Sequence, residues 1–181
     1  MNCCDVVVIG GGPAGSTVAP LLAQKGYKVT LIEKSRHPRF HIGESLLPAN
    51  LPIFDLLGVT EQVTQVGMVK NAAEFNSPWH DHQQRFYFAD AWDKSMPSAF
   101  QVRRSEFDEI LIRNAAAKGV EVIEDCRVKA VNLNAGSCAE VEAEHADGRK
   151  EKWQAKFVVD ASGRDTLLAN KLQIKHKNPK H

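Results

Sequence analysis

Four consecutive apolar residues, Val6–Ile9, lead straight into glycines at 10, 11, 12 and 15, and a second apolar run, Val29–Ile32, ends on the acid Glu33. Uninterrupted runs of this kind describe strands buried on both faces. Between them Pro13–Lys25 predicts a helix, with proline in its first turn and Gly26 just past its end. Residues 34–45 are polar and broken by Pro38 and Gly43, which predicts a loop leaving the second strand. Leu46–Leu57 predicts a short helix stopped by Gly58, with Pro48 and Pro52 limiting where it starts, and residues 60–67 predict another helical turn or two. From Lys70 to Val102 the pattern shortens. Phe75, Phe86–Phe88 and Phe100–Val102 read as short strands separated by Pro78, the polar stretch His80–Gln84 and Pro97, a β-rich insertion. Ser105 as cap and Asp108 three residues on predict a capping box opening a helix over Glu106–Lys118, with Phe107, Ile110, Leu111 and Ala115 on its apolar face and Gly119 as its stop. Strands are predicted over Val120–Ile123, Arg127–Leu133, Cys138–Glu144 and Lys150–Gln154, the last two joined by an Asp147-Gly148 hairpin turn. Phe157–Asp160 is a final apolar strand, placed to lie parallel to the first one, and Ala161-Ser162-Gly163 follows it. The Lys/His-rich tail Lys175–His181 is expected to fray.

The order strand, Gly10-x-Gly12-x-x-Gly15, helix, strand and terminal acid is the pattern of a dinucleotide-binding βαβ unit. Gly10 permits the tight turn, Gly12 the close approach of backbone to a pyrophosphate, and Gly15 the packing of helix on strand. The helix opening presents free N–H groups and the positive end of its dipole to phosphate. Glu33, eighteen residues after Gly15, stands at the right distance to accept hydrogen bonds from a ribose hydroxyl pair. The fold class expected is α/β: a mostly parallel, Rossmann-like sheet with helices on both faces, plus a small antiparallel β layer over about residues 121–155.

Composition adds mainly exclusions. The 181 residues carry a net charge of +1, with 43% hydrophobic and 25% charged residues, ordinary for a globular core. Charge therefore makes no case for nucleic acid or an anionic membrane, and no apolar stretch approaches the ~20 residues of a membrane span. The first strand begins too early to leave room for a signal peptide, so the expected location is cytoplasmic. Cys3, Cys4, Cys126 and Cys138 form no CxxC and read as free thiols. His80 and His82 flank Asp81 with no third ligand in view, which reads as a solvated loop, and no metal site is expected.

Gly10–Ser16, Glu33-Lys34, Gly43-Glu44-Ser45, Val102-Arg103-Arg104-x-x-Phe107-Asp108 and Asp160–Gly163 together resemble the FAD-binding part of the p-hydroxybenzoate hydroxylase-like flavoproteins. Within that group Pro38–Pro48, reading PRFHIGESLLP, is similar to the loop of flavin-dependent halogenases. The likeness covers nearly residues 4–172. It implies FAD as cofactor, with Gly10, Gly12, Pro13, Ala14 and Gly15 at the pyrophosphate, Glu33 at the adenosine ribose and Lys34 near the adenine. Arg103 would reach the pyrophosphate or ribityl region, the backbone at Val128 and Ala161 would border the adenine, and Ser45 would approach the ribityl chain or the flavin ring. Glu44 reads equally as a helix-capping acid or a ligand. Lys70-Asn71-Ala72-Ala73-Glu74-Phe75 resembles the Lys-x-Gly-Ala-x-Phe segment of the halogenases, with Ala72 in place of glycine, and implies Lys70 as the catalytic lysine that directs hypohalous acid onto substrate.

The resemblance further implies a flavin monooxygenase that halogenates an aromatic or carrier-bound substrate. A separate flavin reductase would supply reduced flavin, since no second glycine motif of the NAD(P)H type is present. A hydroxylase, a geranylgeranyl-reductase-type enzyme and a non-catalytic flavin-binding fragment are the alternatives. Residues 1–172 read as the N-terminal portion of a FAD-binding domain, with 70–102 starting a substrate-facing β region and 173–181 a tail. Neither a later Gly-Asp flavin segment nor the Trp-x-Trp-x-Ile-Pro stretch of halogenases occurs, and Trp79, Trp92 and Trp153 do not form it. The chain thus reads as an N-terminal piece whose other half could lie elsewhere.

Overall fold

The computed structural model describes residues 2–133 and 136–176. In chain order the elements are β1 (Asn2–Ile9), α1 (Pro13–Ala23), β2 (Val29–Ile32), α2 (Leu51–Leu57), α3 (Thr60–Val66), β3 (Met68–Lys70), β4 (Ala72–Ser77), β5 (His82–Tyr87), β6 (Ala99–Gln101), α4 (Arg104–Ala117), β7 (Glu121–Ile123), β8 (Cys126–Asn132), β9 (Ala139–His145), β10 (Lys150–Asp160) and α5 (Leu167–Lys171). They form two compact units, one of the residues up to His37 and from Leu111 onward, the other of Pro38–Ile110. Residues 177–181, most of the stretch expected to fray, lie outside the described residues.

In the first unit a six-stranded sheet runs in the order β7-β2-β1-β10-β9-β8. β1 lies parallel to β2 and β10, and β2 parallel to β7, whereas β9 is antiparallel to both β10 and β8. The apolar run of β1 is buried on both faces, as its lack of alternation requires. Val6 and Val8 face a cluster with Ala19 of α1, Leu31, and Ile112 and Ala115 of α4. Val7 and Ile9 face a second cluster with Cys126, Val128, Val141, Trp153 and Ala155, against which Leu167 and Leu168 of α5 pack. Helices therefore cover both faces, as expected.

Three expectations change here. Lys150–Gln154 and Phe157–Asp160 are one strand, because Trp153 and Ala155 point inward, Lys152 and Lys156 outward, and no glycine or proline breaks that alternation. One edge of this long strand pairs with β1 from Asn2↔Trp153 to Ile9↔Asp160, while its first half pairs on the other edge with β9. The expected antiparallel strands continue the main sheet through β9 and β8, whereas β7, expected among them, is its parallel edge strand. Finally, α1 stops at Ala23, short of Lys25, and Gly26 lies in the turn beyond it.

In the second unit Phe54, Leu57, Val59, Val63, Ala99, Phe100, Val102 and Phe107 are buried, with the Phe54 and Phe107 rings edge to face at 5.7 Å. Leu46 and Leu47 stay outside the helix expected over Leu46–Leu57. A 3-10 turn at Pro48–Asn50 precedes α2, since each proline lacks the N–H a continuing helix needs. β3 pairs with β6, and β4 with β5, in separate two-stranded sheets. His82–Gln84, expected in a polar loop, belongs to β5. That strand is exposed along its whole length, so polar side chains suit it, and Arg85 pairs with Glu74 across the ribbon. Phe88 leaves the strand in a 3-10 turn. The capping box does not form. α4 starts at Arg104, which places Ser105 inside it, and the buried Asp108 carboxylate instead accepts two hydrogen bonds from Arg104 at 2.7 and 2.9 Å. On α4 Ile112, not Ile110, completes the buried face with Phe107, Leu111 and Ala115.

Candidate functional site

In the first unit the turn after β1 is shaped for close approach. Gly10 has φ +103°, a conformation that L side chains rarely adopt, and a Cβ there would lie 2.5 Å from the Ala161 carbonyl oxygen. The Ala161 N–H donates to the Ile9 carbonyl at 2.9 Å, so the two turns expected to share a ligand stand side by side. A Cβ on Gly15 would overlap the Gly10 carbonyl oxygen and sit 3.1 Å from its carbon. Gly12 caps α1 from an extended conformation, with Pro13 as the first helical residue. No side chain caps this end of α1 and its first turn carries no acid. Its N-terminal dipole, worth about half a positive charge, is thereby left for an external anion. Ala14 lies exposed in that first turn.

Glu33 is buried at the end of β2, where one carboxylate oxygen accepts the Gly11 N–H at 2.6 Å and the other the Ser35 N–H at 3.0 Å. Gly11 was not singled out in the sequence, although a Cβ on it would come within 2.7 Å of Ile112 and 3.0 Å of Glu33. Its position between two motif glycines was the available signal. Lys34 pairs with Asp165 at 2.6 Å, tying the exit of β2 to the turn after β10, and this ion pair holds the Asp165 carboxyl below its ordinary range. Asp160, which closes β10, accepts the N–H groups of Ser162 and Leu168 and so fixes the Ala161–Gly163 turn. Val128 has its side chain in the core, and a register shift interrupts the β8–β9 ladder between it and Ala130.

The chain leaving β2 is gripped again at His37. Its N–H and ring Nδ1 both meet one oxygen of Glu124, at 2.7 and 3.0 Å, while Arg113 donates to the other at 2.6 Å. Burial alone would raise the Glu124 carboxyl, but hydrogen bonds from Arg113 and His37 outweigh it and hold the group below the ordinary glutamate range. Between that lowered native value and the ordinary value of about 4.3, the unfolded chain binds more protons than the folded one. Stability from this cluster is therefore complete above the ordinary value and is lost as pH falls through the native one. Urea denaturation over about pH 3–6 should show a flatter acid limb for Glu124→Gln than for the parent chain.

The second unit brings together Lys70 and Ser45, which the sequence placed in different roles. β6 lies between them: Lys70 pairs with Ala99 on one side, and Ser45 bridges to Gln101 on the other. Backbone bonds Val102 N–H to Glu44 O and Leu46 N–H to Phe100 O, both 2.9 Å, lay the Gly-Glu-Ser segment along β6. Across that strand the Lys70 ammonium donates to Ser45 Oγ and, at 2.8 Å, to the Leu46 carbonyl. Glu44 caps no helix; its carboxylate lies near Gln101. Arg103 is strongly exposed and pairs with Glu106 at 3.3 Å. Its neighbour Arg104, given no role from the sequence, is the better-buried arginine. Besides clasping Asp108 it donates to the Ile42 and Gly43 carbonyls at 2.8 and 3.4 Å, pinning the loop before Ser45. Among the described residues no cluster could hold a metal ion, the four cysteines are free thiols, and no helix is long and apolar enough to cross a membrane.

A profile of the FAD binding domain family matches residues 3–181. Over 166 residues the chain is 41% identical to tryptophan 2-halogenase of Chondromyces crocatus, an alignment covering 91% of this chain and 31% of that protein. It is 34% identical to the 1H-pyrrole-2-carbonyl peptidyl-carrier-protein chlorinase of Pseudomonas fluorescens, over 97% of this chain and 42% of the relative. Among solved structures it superposes on CndH, a myxobacterial FAD-dependent chondrochloren halogenase, with a TM-score of 0.84 at 38% identity, covering 92% of this chain and 39% of that one. The chain therefore spans 31% to 42% of the length of these proteins.

Proposed function

We propose that this chain, which belongs to the FAD binding domain family, is the flavin-binding part of a halogenase-like monooxygenase. The observation that carries the reading is the turn after β1, where any side chain at Gly10 or Gly15 would strike backbone and the opening of α1 has neither cap nor acid. Such a cradle suits the diphosphate of FAD. Gly10, Gly12, Pro13, Ala14 and Gly15 would border it, and the Gly11 N–H stays directed by Glu33. The outer edge of the Glu33 carboxylate serves the adenosine ribose, with Lys34 and the backbone of Val128 and Ala161 on the adenine side. In the second unit Ser45 keeps the ribityl-chain or flavin-ring role that the resemblance implies, and Arg103, with its guanidinium largely in solvent, the pyrophosphate or ribityl role.

When bound, FAD supplies the redox chemistry, reduced by a separate reductase and oxidising halide with oxygen. The protein's own part falls to Lys70. Its ammonium is a hydrogen-bond donor that holds the oxidised halogen species beside an electron-rich aromatic or carrier-bound substrate. The tryptophan and carrier-bound pyrrole substrates of the relatives support that substrate range. Activity, substrate and reductase are proposed for the protein that carries these residues.

Titrating the purified chain with FAD tests the cofactor assignment. The expected result is a yellow protein that quenches flavin fluorescence saturably in the micromolar range. A colourless chain that leaves FAD fluorescence unchanged overturns it.

A further inference from the structure

We propose that Phe88 is a positioning residue for Lys70, holding its ammonium by the face of the aromatic ring; this rests on the proposed role of Lys70. The Lys70 Nζ lies 5.6 Å from the centroid of the Phe88 ring, inside the ~6 Å at which a cation is drawn to an aromatic face. Phe88 is eighteen residues further along, and the chain between makes a detour that brings it back. β4 leaves immediately after Asn71, turns near Trp79, and β5 returns with Ala72 opposite Tyr87. The Phe88 N–H then donates to the Asn71 carbonyl at 2.9 Å, fixing the aromatic residue beside the residue that follows Lys70. The ribbon closes a loop whose two ends are Lys70 and Phe88.

The ring supplies what the other two contacts lack. Ser45 Oγ and the Leu46 carbonyl each take one ammonium proton, yet both lie on the Gly-Glu-Ser side of β6. Lysine is among the side chains with the most rotamer freedom to lose, and a third contact from a different segment limits the swing that two acceptors on one segment allow. A phenyl ring also attracts the cation without accepting a proton in a directed bond. The third N–H is therefore left to donate to a ligand.

This geometry is readable without any catalytic turnover. In protein labelled with ¹³Cε-lysine, the Lys70 Hε resonance, identified by its absence in Lys70→Arg, should lie upfield of the other lysines because of the ring current of Phe88. Phe88→Leu should return it to the lysine cluster, and Phe88→Tyr, which keeps the ring, should retain the shift. Backbone amide signals of Glu74 and Arg85 in ¹⁵N-labelled protein report that the hairpin stays folded in each variant. A Lys70 resonance already within the cluster in the parent protein, or unmoved by Phe88→Leu, overturns the proposal. In the reaction supplied with reduced flavin and halide, Phe88→Leu should lose about two- to fivefold in product, the scale of one such contact at a partly exposed site, and Phe88→Tyr should recover it. If the ring shift is present but Lys70→Ala leaves halogenation unchanged, the contact stands and the catalytic role of Lys70 falls.

Discussion

Gly15→Ala is expected to abolish FAD binding and to cost the fold more than an ordinary surface substitution in α1. The added methyl has nowhere to go. It would overlap the Gly10 carbonyl oxygen, and the nearby Val8 side chain at 3.2 Å closes the remaining direction. The obstacle is backbone held from both ends. Gly10 N–H bonds to Ile32 O at 2.8 Å, and the residue itself rests against Ala161. Relief requires α1 to move away from β1, which opens the packing of Ala19 against Val6 and Val8 and tilts the helix opening away from the phosphate cradle. Overpacking of this kind costs about 1–3 kcal/mol where side chains yield, and a backbone obstacle puts this case at about 3 or more. For a chain of this size that is a fall of roughly 6–12 °C in Tm. Thermal unfolding with and without FAD measures both effects. A variant that binds FAD with parental affinity contradicts the assignment of this turn to the diphosphate.

Lys70→Ala is expected to remove halogenation while leaving FAD binding intact. The lysine sits at the end of β3, paired through its backbone to Ala99, so truncating the side chain leaves that ladder in place. What disappears is the donor held by Ser45 and the Leu46 carbonyl. Loss of one positioned donor in an active site lowers turnover by about a hundred- to a thousandfold, and a reaction that depends on the lysine to direct the halogen should fall at least that far. Product formation with reduced flavin, oxygen and halide supplied is the measurement, alongside an FAD titration. Undiminished halogenation in Lys70→Ala would remove this residue from the mechanism, and loss of FAD binding would mean that it acts through the cofactor instead.

Much of the first unit could be read directly from residue order. The glycine turn, the acid ending β2 and the parallel pairing of Phe157–Asp160 with β1 all follow from local pattern, because an apolar run and a turn that excludes side chains each leave marks in the order of residues. The ribose reading of Glu33 came from the same spacing, but its bond to Gly11 did not. That bond depends on how the turn folds back across the end of β2.

The second unit was harder. Arg103 and Arg104 are adjacent and chemically alike, and only the start of α4 decides which is buried. With the helix opening at Arg104, that side chain lies one turn from Asp108 and reaches the Ile42 and Gly43 carbonyls, while Arg103 points into solvent. The capping box failed for the same reason: its spacing was right, but a helix that starts two residues earlier uses the acid for an ion pair. Along β10 the exposed Lys156 interrupts the apolar run yet keeps the alternation with buried Trp153 and Ala155, so one strand looks like two in sequence.

By itself the sequence determined the βαβ unit, its glycine cradle and the acid that closes it, since those features arise from backbone sterics and helix polarity within about thirty contiguous residues. Tertiary structure alone decided which distant groups meet in the second unit: Lys70 with Ser45 across β6, and Phe88 with Lys70 through the β4–β5 ribbon. Such meetings depend on strand pairing and register between segments far apart in the chain, and neither is encoded at any single position.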